Sequence, residues 1–138
     1  HCDVLIEPFC RGIEFTIVIL MHQQIPIALV PTEIELLTGG VYDYRKKYLP
    51  TATTRLHCPP RFSAKLISRI RNMAVEIFNH FGMRDFARLD GWVVDDQIIF
   101  SDFNPISGLE QNSFVFIQAS RFGLSHQQVL TIIINQAL

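Results

Sequence analysis

Three cysteines in 138 residues are too few, and too odd in number, for a disulfide framework. A reducing compartment, the cytoplasm, is the simpler expectation. Neither sign of charge dominates. A net charge of -1 gives no electrostatic reason to expect nucleic acid or an anionic membrane as a partner. No apolar run is long and uninterrupted enough to span a bilayer. No glycine-rich phosphate loop is present, so a Rossmann or Walker reading has nothing to stand on. His57-Cys58 lacks a second pair of soft ligands at a suitable spacing, which leaves a packed cysteine rather than a zinc site. Repeats and low-complexity segments are missing too. The chain starts at His1, without an initiator Met or leader, and runs straight into Val4-Leu5-Ile6. It is expected to be a fragment of a longer protein, and any targeting signal, a plastid address included, would lie outside it.

What is there suits one domain, or part of one, with a sizeable core: 49% of the residues are hydrophobic. Residues 3–9 read as a strand. Arg11-Gly12 marks a turn, and residues 14–21, rich in β-branched side chains, read as the next strand. Residues 25–30 give a short third strand bounded by Pro26 and Pro31, and residues 32–37 a fourth that stops at Gly39-Gly40. Residues 42–60 show no period and read as a long loop, a lid or binding loop. Residues 63–81 form the clearest helix. Ser63 is its N-cap, and Leu66, Ile67, Ile70, Met73, Ala74, Ile77, Phe78 and Phe81 make an apolar stripe that ends at Gly82. Residues 113–122 form a short helix ending at Gly123, and Ser125 caps a last one carrying Val129, Leu130, Ile133 and Ile134. These pieces predict an α+β domain, an antiparallel sheet with helices packed on it.

The stretch from Asp85 to Ser113 carries the chemistry. Phe86, Arg88, Asp90 and Trp92 alternate with Ala87, Leu89 and Gly91, so one face of a strand holds Arg88 beside Asp90. Residues 98–104 form the return strand, on which Asp102 and Asn104 share a face. A three-residue loop, Asp95-Asp96-Gln97, sets Asp90 opposite Asp102; a two-residue loop sets it opposite Ser101. The expectation is the three-residue form, with Asp90, Asp102 and Asn104 converging beside Arg88. Three oxygen-bearing side chains without Cys or His suit a hard cation such as magnesium. The same spacing also fits a solvated hairpin whose acids face water. Beyond it, Asn104-Pro105-Ile106-Ser107-Gly108 leaves the strand through a turn, and Asn112-Ser113 opens an apolar helical run whose free N–H groups suit a carboxylate or phosphate.

Ala87-Arg88-Leu89-Asp90, Asp102-Phe103-Asn104 and Ser107-Gly108 followed by Ser113 resemble the closing segment of the D-alanine–D-alanine ligases, which are ATP-grasp enzymes. Leu5-Ile6-Glu7, Gly12-Ile13-Glu14-Phe15-Thr16, the run Tyr42-Asp43-Tyr44-Arg45-Lys46-Lys47-Tyr48, Cys58-Pro59 and Gly123-Leu124-Ser125 extend the likeness, in order, over almost the whole chain. The resemblance implies that residues 1–138 are the second, C-terminal ATP-grasp lobe, with the N-terminal domain and first lobe absent. It implies ATP-dependent ligation of two D-alanines through an acyl phosphate, for peptidoglycan precursors, with ATP and magnesium (or manganese) as cofactors. D-alanine is then the small-molecule partner, and a homodimer is compatible with it. Glu7, Phe9, Cys10 and Glu14 would bind adenine and ribose, and Lys47 the terminal phosphates. Tyr48 would shape the acceptor pocket and close the loop. Asp90, Asp102 and Asn104 would hold the metal. Arg88 and the Gly108 N–H would stabilise oxyanion charge, and Ser113 with the Phe114 N–H would take the acceptor carboxylate.

The likeness has departures. The family usually has Glu at the place of Asp102, Pro at Ser107 and a small polar residue at Glu110. They leave open a carboxylate–amine ligase with a different acceptor, and a non-catalytic nucleotide-binding relative. The fragment alone is expected to be inactive.

Overall fold

A computed structural model describes residues 3–4, 6–37 and 54–137 of the chain. Its central strand, β1 (Ile13–His22), has six consecutive buried residues from Phe15 to Leu20. A strand buried on both faces needs cover on both, and it has it. Phe15, Ile17 and Ile19 face one layer, packed on α1 (Ala64–His80); Val18 and Leu20 face the other, packed on α2 (Phe114–Ser120) and α3 (His126–Ala137). The α+β expectation holds.

Around β1 lie β2 (Ile25–Ala28), β3 (Thr32–Leu36), β4 (Thr54–His57), β5 (Phe86–Val94) and β6 (Gln97–Asn104). Among the described residues the sheet order is β4-β3-β1-β5-β6, with β2 also on β1, and every pair is antiparallel. β2 and β3 share one edge of β1: β3 pairs with Glu14–Thr16, and β2 with Ile19–His22. The ladder would be broken between them. The Leu29 N–H bonds the Val18 carbonyl there at 2.8 Å. The fully buried amide of Gln118, from α2, accepts from the Val18 N–H at 2.8 Å and donates to the Thr16 carbonyl at 3.0 Å. One side chain thus satisfies backbone groups that a strand would otherwise pair.

α1 begins at Ser63, whose hydroxyl accepts from the Leu66 N–H at 3.2 Å, and buries Leu66, Ile70, Ala74 and Phe78 along one four-residue ridge. Phe81 falls outside this stripe. It is 57% exposed and its ring meets that of Phe103 at 5.1 Å. Gly82, at φ +59°, takes the left-handed conformation that stops the helix.

Two strand assignments need correction. Residues 3–4 and 6–9 form no strand: Val4 and Ile6 are 80% and 88% exposed, and the alternation has no neighbouring strand to pair with among the described residues. Conversely, Thr54–His57 is a strand inside the stretch expected to be loop. It pairs with β3 from Glu33↔His57 to Leu36↔Thr54.

The β5–β6 hairpin turns on two residues, not three. Asp95 and Asp96 both have positive φ, 47° and 66°, and Val94 pairs with Gln97. Such a turn alone would put Asp90 opposite Ser101. The register shifts beside Gly91, however. Gly91 pairs with Phe100 and Asp90 with Asp102, leaving Ser101 as the extra residue of a β-bulge. The expected opposition of Asp90 and Asp102 is therefore present, by a different device. The bulge also restores alternation: Phe100 and Phe103 pack toward α1, and Asp102 and Asn104 take the other face.

Candidate functional site

Asp90 is the centre of the site, 8% exposed on β5. The hydroxyl of Thr16, its register partner on β1, donates to Oδ1 at 2.6 Å. Arg88, two residues earlier and on the same face, donates from Nε to Oδ1 at 3.0 Å and from Nη2 to Oδ2 at 2.9 Å. This paired geometry is the strongest that a guanidinium and a carboxylate form. The Asn104 amide donates to Asp102 at 3.1 Å and lies 3.4 Å from Asp90 Oδ2. The expected cluster of Arg88, Asp90, Asp102 and Asn104 is thus assembled.

The donor set was tested against a hard cation. Two carboxylates and an amide oxygen have the right chemistry. With its nitrogen turned to both aspartates, Asn104 keeps its oxygen for another partner. Asp90 has both oxygens engaged by protein donors, so a cation would share it with Arg88. Among the described residues no group of three or more His, Cys, Asp or Glu side chains is arranged to hold a metal. The candidate site therefore depends on the asparagine.

A cavity of about 490 Å³ opens over Arg88 and Asp90 of this cluster, lined also by Gly108, Glu110, Ser113 and Phe114 among others. The Arg88 guanidinium also lies over the Phe114 ring, 5.8 Å from its centre. Ser113 precedes α2 with extended backbone, but its hydroxyl makes no capping bond. It is buried and has no hydrogen-bond partner among the described residues. A buried hydroxyl without a partner is costly unless a ligand supplies one.

A second cavity, about 990 Å³, is lined by Glu7, Phe9, Cys10 and Glu14 together with Trp92 and Phe100. All four residues expected at the nucleotide line it. Glu14 and Ile34 line both cavities, so the two spaces share a wall. Lys47 and Tyr48 lie outside the described residues.

Sequence reasoning missed the ion network on the wall of the larger cavity. Glu33, 1% exposed on β3, accepts from the Arg61 backbone N–H at 2.8 Å and from Arg61 Nε at 3.0 Å. Arg61 also reaches Glu35 at 3.2 Å, and His57 bonds Glu35 at 2.8 Å. Burial pushes the Glu33 carboxyl upward, but the side-chain and backbone hydrogen bonds from Arg61 outweigh it and hold it below its ordinary value. Glu35 is lowered first by the His57 hydrogen bond, against some desolvation, and then by Arg61. The signal available in sequence was alternation on β3, which puts Glu33 and Glu35 on one face; the partner, Arg61, lies 28 residues from Glu33. Gln118 was missed for the same reason: a glutamine in an apolar helix carries no mark of the strand gap it fills.

A family model described as D-ala D-ala ligase C-terminus matches residues 1–135. A D-alanine–D-alanine ligase from Pseudoalteromonas translucida is 33% identical over 99% of this chain and 43% of its own length. One from Desulforamulus reducens is 32% identical over the same shares. Among solved structures, the VanG D-Ala:D-Ser ligase from Enterococcus faecalis superposes with a TM-score of 0.79 at 28% identity, over 94% of this chain and 37% of that one. The chain spans less than half the length of these relatives.

Proposed function

Because the chain belongs to the D-ala D-ala ligase C-terminus family, we propose that it is the second ATP-grasp lobe of an ATP-dependent ligase that joins two D-alanines through an acyl phosphate. Residues 1–138 are, on this reading, one lobe of a longer enzyme. The observation that carries it is the Arg88–Asp90–Asn104–Asp102 cluster, whose Arg88 and Asp90 line one cavity, with Glu14 in the wall shared with a second, larger one.

Glu7, Phe9, Cys10 and Glu14 take the adenosine of ATP in the larger cavity. A glutamate at each end of the turn suits an amino group and two ribose hydroxyls, which are donors. Asp90, Asp102 and Asn104 hold magnesium, or manganese in its place. The bound ion supplies neutralisation of the phosphate charge, which is what phosphoryl transfer chiefly needs. Asp102 is one methylene shorter than the family's glutamate and reaches less far. Arg88, fixed by Asp90 and Phe114, sets a positive charge beside the phosphates and the acyl carbonyl. The Gly108 N–H stabilises the oxyanion of the tetrahedral step. The unpartnered Ser113 hydroxyl, with the Phe114 N–H, receives the acceptor's carboxylate. Lys47 reaches the terminal phosphates, and Tyr48 shapes the acceptor pocket and helps to close it, keeping water from the acyl phosphate.

The test is ADP release by the full-length protein with ATP, magnesium and D-alanine, with the dipeptide identified among the products. ATP turnover that requires D-alanine and yields no dipeptide would turn the reading toward another acceptor. No ADP release under any of these conditions would remove the ligase reading.

A further inference from the structure

Among the described residues, the acceptor-side cavity contains one charge without a partner of opposite sign. Four charged side chains line it: Glu14, Arg88, Asp90 and Glu110. Arg88 is committed to Asp90 by two hydrogen bonds, so its charge is matched within the pair. The Glu110 side chain has no hydrogen bond or ion pair among the described residues. Its side chain folds back so that the carboxylate lies on Gly108, in the space where a side chain at that position would stand. Its backbone carbonyl accepts from the Ser113 N–H at 2.9 Å, a turn that brings the carboxylate and the buried Ser113 hydroxyl to one cavity.

These two groups are complementary to the two ends of an amino acid. An unpartnered hydroxyl suits a carboxylate, and an unpartnered carboxylate suits an ammonium. A lone anion beside the Gly108 N–H would also oppose an oxyanion forming there, unless the incoming ligand brought a positive charge. We propose that Glu110 is a specificity-determining residue that binds the ammonium group of the acceptor, so that the site selects amino acids over acids lacking an amine. The inference rests on the ligase reading above and adds a residue to it. The group facing Glu110 from β5 is the Arg88–Asp90 pair and from β1 is Glu14; none of them supplies a spare cation.

The experiment uses the full-length enzyme at neutral pH and saturating ATP. The acceptor KM for D-alanine is read from ADP release, and the inhibition constant of propionate against the acceptor is read in the same assay. Propionate shares the methyl and carboxylate and lacks the amine. Glu110→Gln keeps the size and removes the charge. It should raise the acceptor KM roughly tenfold, the order of a charge-assisted hydrogen bond at an exposed position, and move the propionate constant less than twofold. Glu110→Asp, which keeps the charge, should recover part of the loss. An unchanged acceptor KM in Glu110→Gln overturns the proposal, and so does a parallel rise in both constants, because a distorted pocket would weaken both ligands alike. An unmutated enzyme that releases no ADP with D-alanine is a different failure, that of the ligase reading itself.

Discussion

The side-chain amide of Gln118 donates to the carbonyl of Thr16 at 3.0 Å, and the Thr16 hydroxyl in turn donates to Asp90 at 2.6 Å. One residue of β1 therefore joins the helix that follows the smaller cavity to a carboxylate that lines it. Gln118→Leu would keep most of the volume and strand two buried backbone groups, the Val18 N–H and the Thr16 carbonyl. The expected cost is about 2–6 kcal/mol at one to three for each unsatisfied group. Urea unfolding of the variant reads it. A loss under about 1 kcal/mol would show that the gap between β2 and β3 is satisfied in another way.

Gly91 stands next to the bulge, where a Cβ would run into the Ile99 carbonyl oxygen and touch the Phe15 ring. Backbone cannot step aside as a flexible side chain can. Gly91→Ala should cost roughly 2–3 kcal/mol and, by spreading β5 from β6, weaken the opposition of Asp90 and Asp102. Thermal melting gives the first effect and cross-strand NMR contacts give the second. A variant as stable as the parent would mean the hairpin opens there at little cost.

Acid should release the network on β3. The carboxyls of Glu33 and Glu35 lie below their ordinary value of 4.5 in the folded chain. Their contribution to stability is thus complete above about that pH and is lost as the pH falls through the lowered folded values. Arg61, raised further by Glu33, stays charged throughout. Arg61→Leu should lower stability at pH 7, since it leaves Glu33 buried with fewer donors. It should also flatten the loss as the pH falls below about 4.5. If parent and variant lose stability in parallel below pH 5, the linkage is carried by other groups.

In the full-length protein, Asp90→Asn and Asn104→Ala should each lower kcat and raise the magnesium requirement, because each weakens or removes an oxygen donor. Asp90→Asn also unpairs Arg88, so it should be the more damaging of the two. Magnesium titrations of ADP release measure both. Identical magnesium dependence in parent and variants would make the cluster purely structural.

Much of this was legible because it is local. The strands β1, β2 and β3 and the helix α1 follow from β-branched runs, proline boundaries and a four-residue apolar ridge behind Ser63. What failed was pairing. Val4 and Ile6 alternate like a strand but have no neighbour to complete their hydrogen bonds, while Thr54–His57, half exposed and mixed in polarity, is a strand because β3 offers it an edge. The site shows the same division. Arg88 beside Asp90 is written in a spacing of two. The convergence with Asp102 needed a two-residue turn and a bulge at Ser101, two departures from the expected loop that cancel in register. The Glu33–Arg61 and Gln118–Val18 contacts join residues 28 and 100 apart, beyond any window of sequence.

The seat of Arg88 and Asp90 on one strand has a mechanical consequence. Their backbone positions are spaced by two residues of a pleat, about 6.6–6.8 Å, in a strand hydrogen-bonded along both edges. A cation and an anion set in this way behave like marks on a ruler rather than jaws of a clamp. Any movement of β5 would carry both charges together, as one fixed dipole.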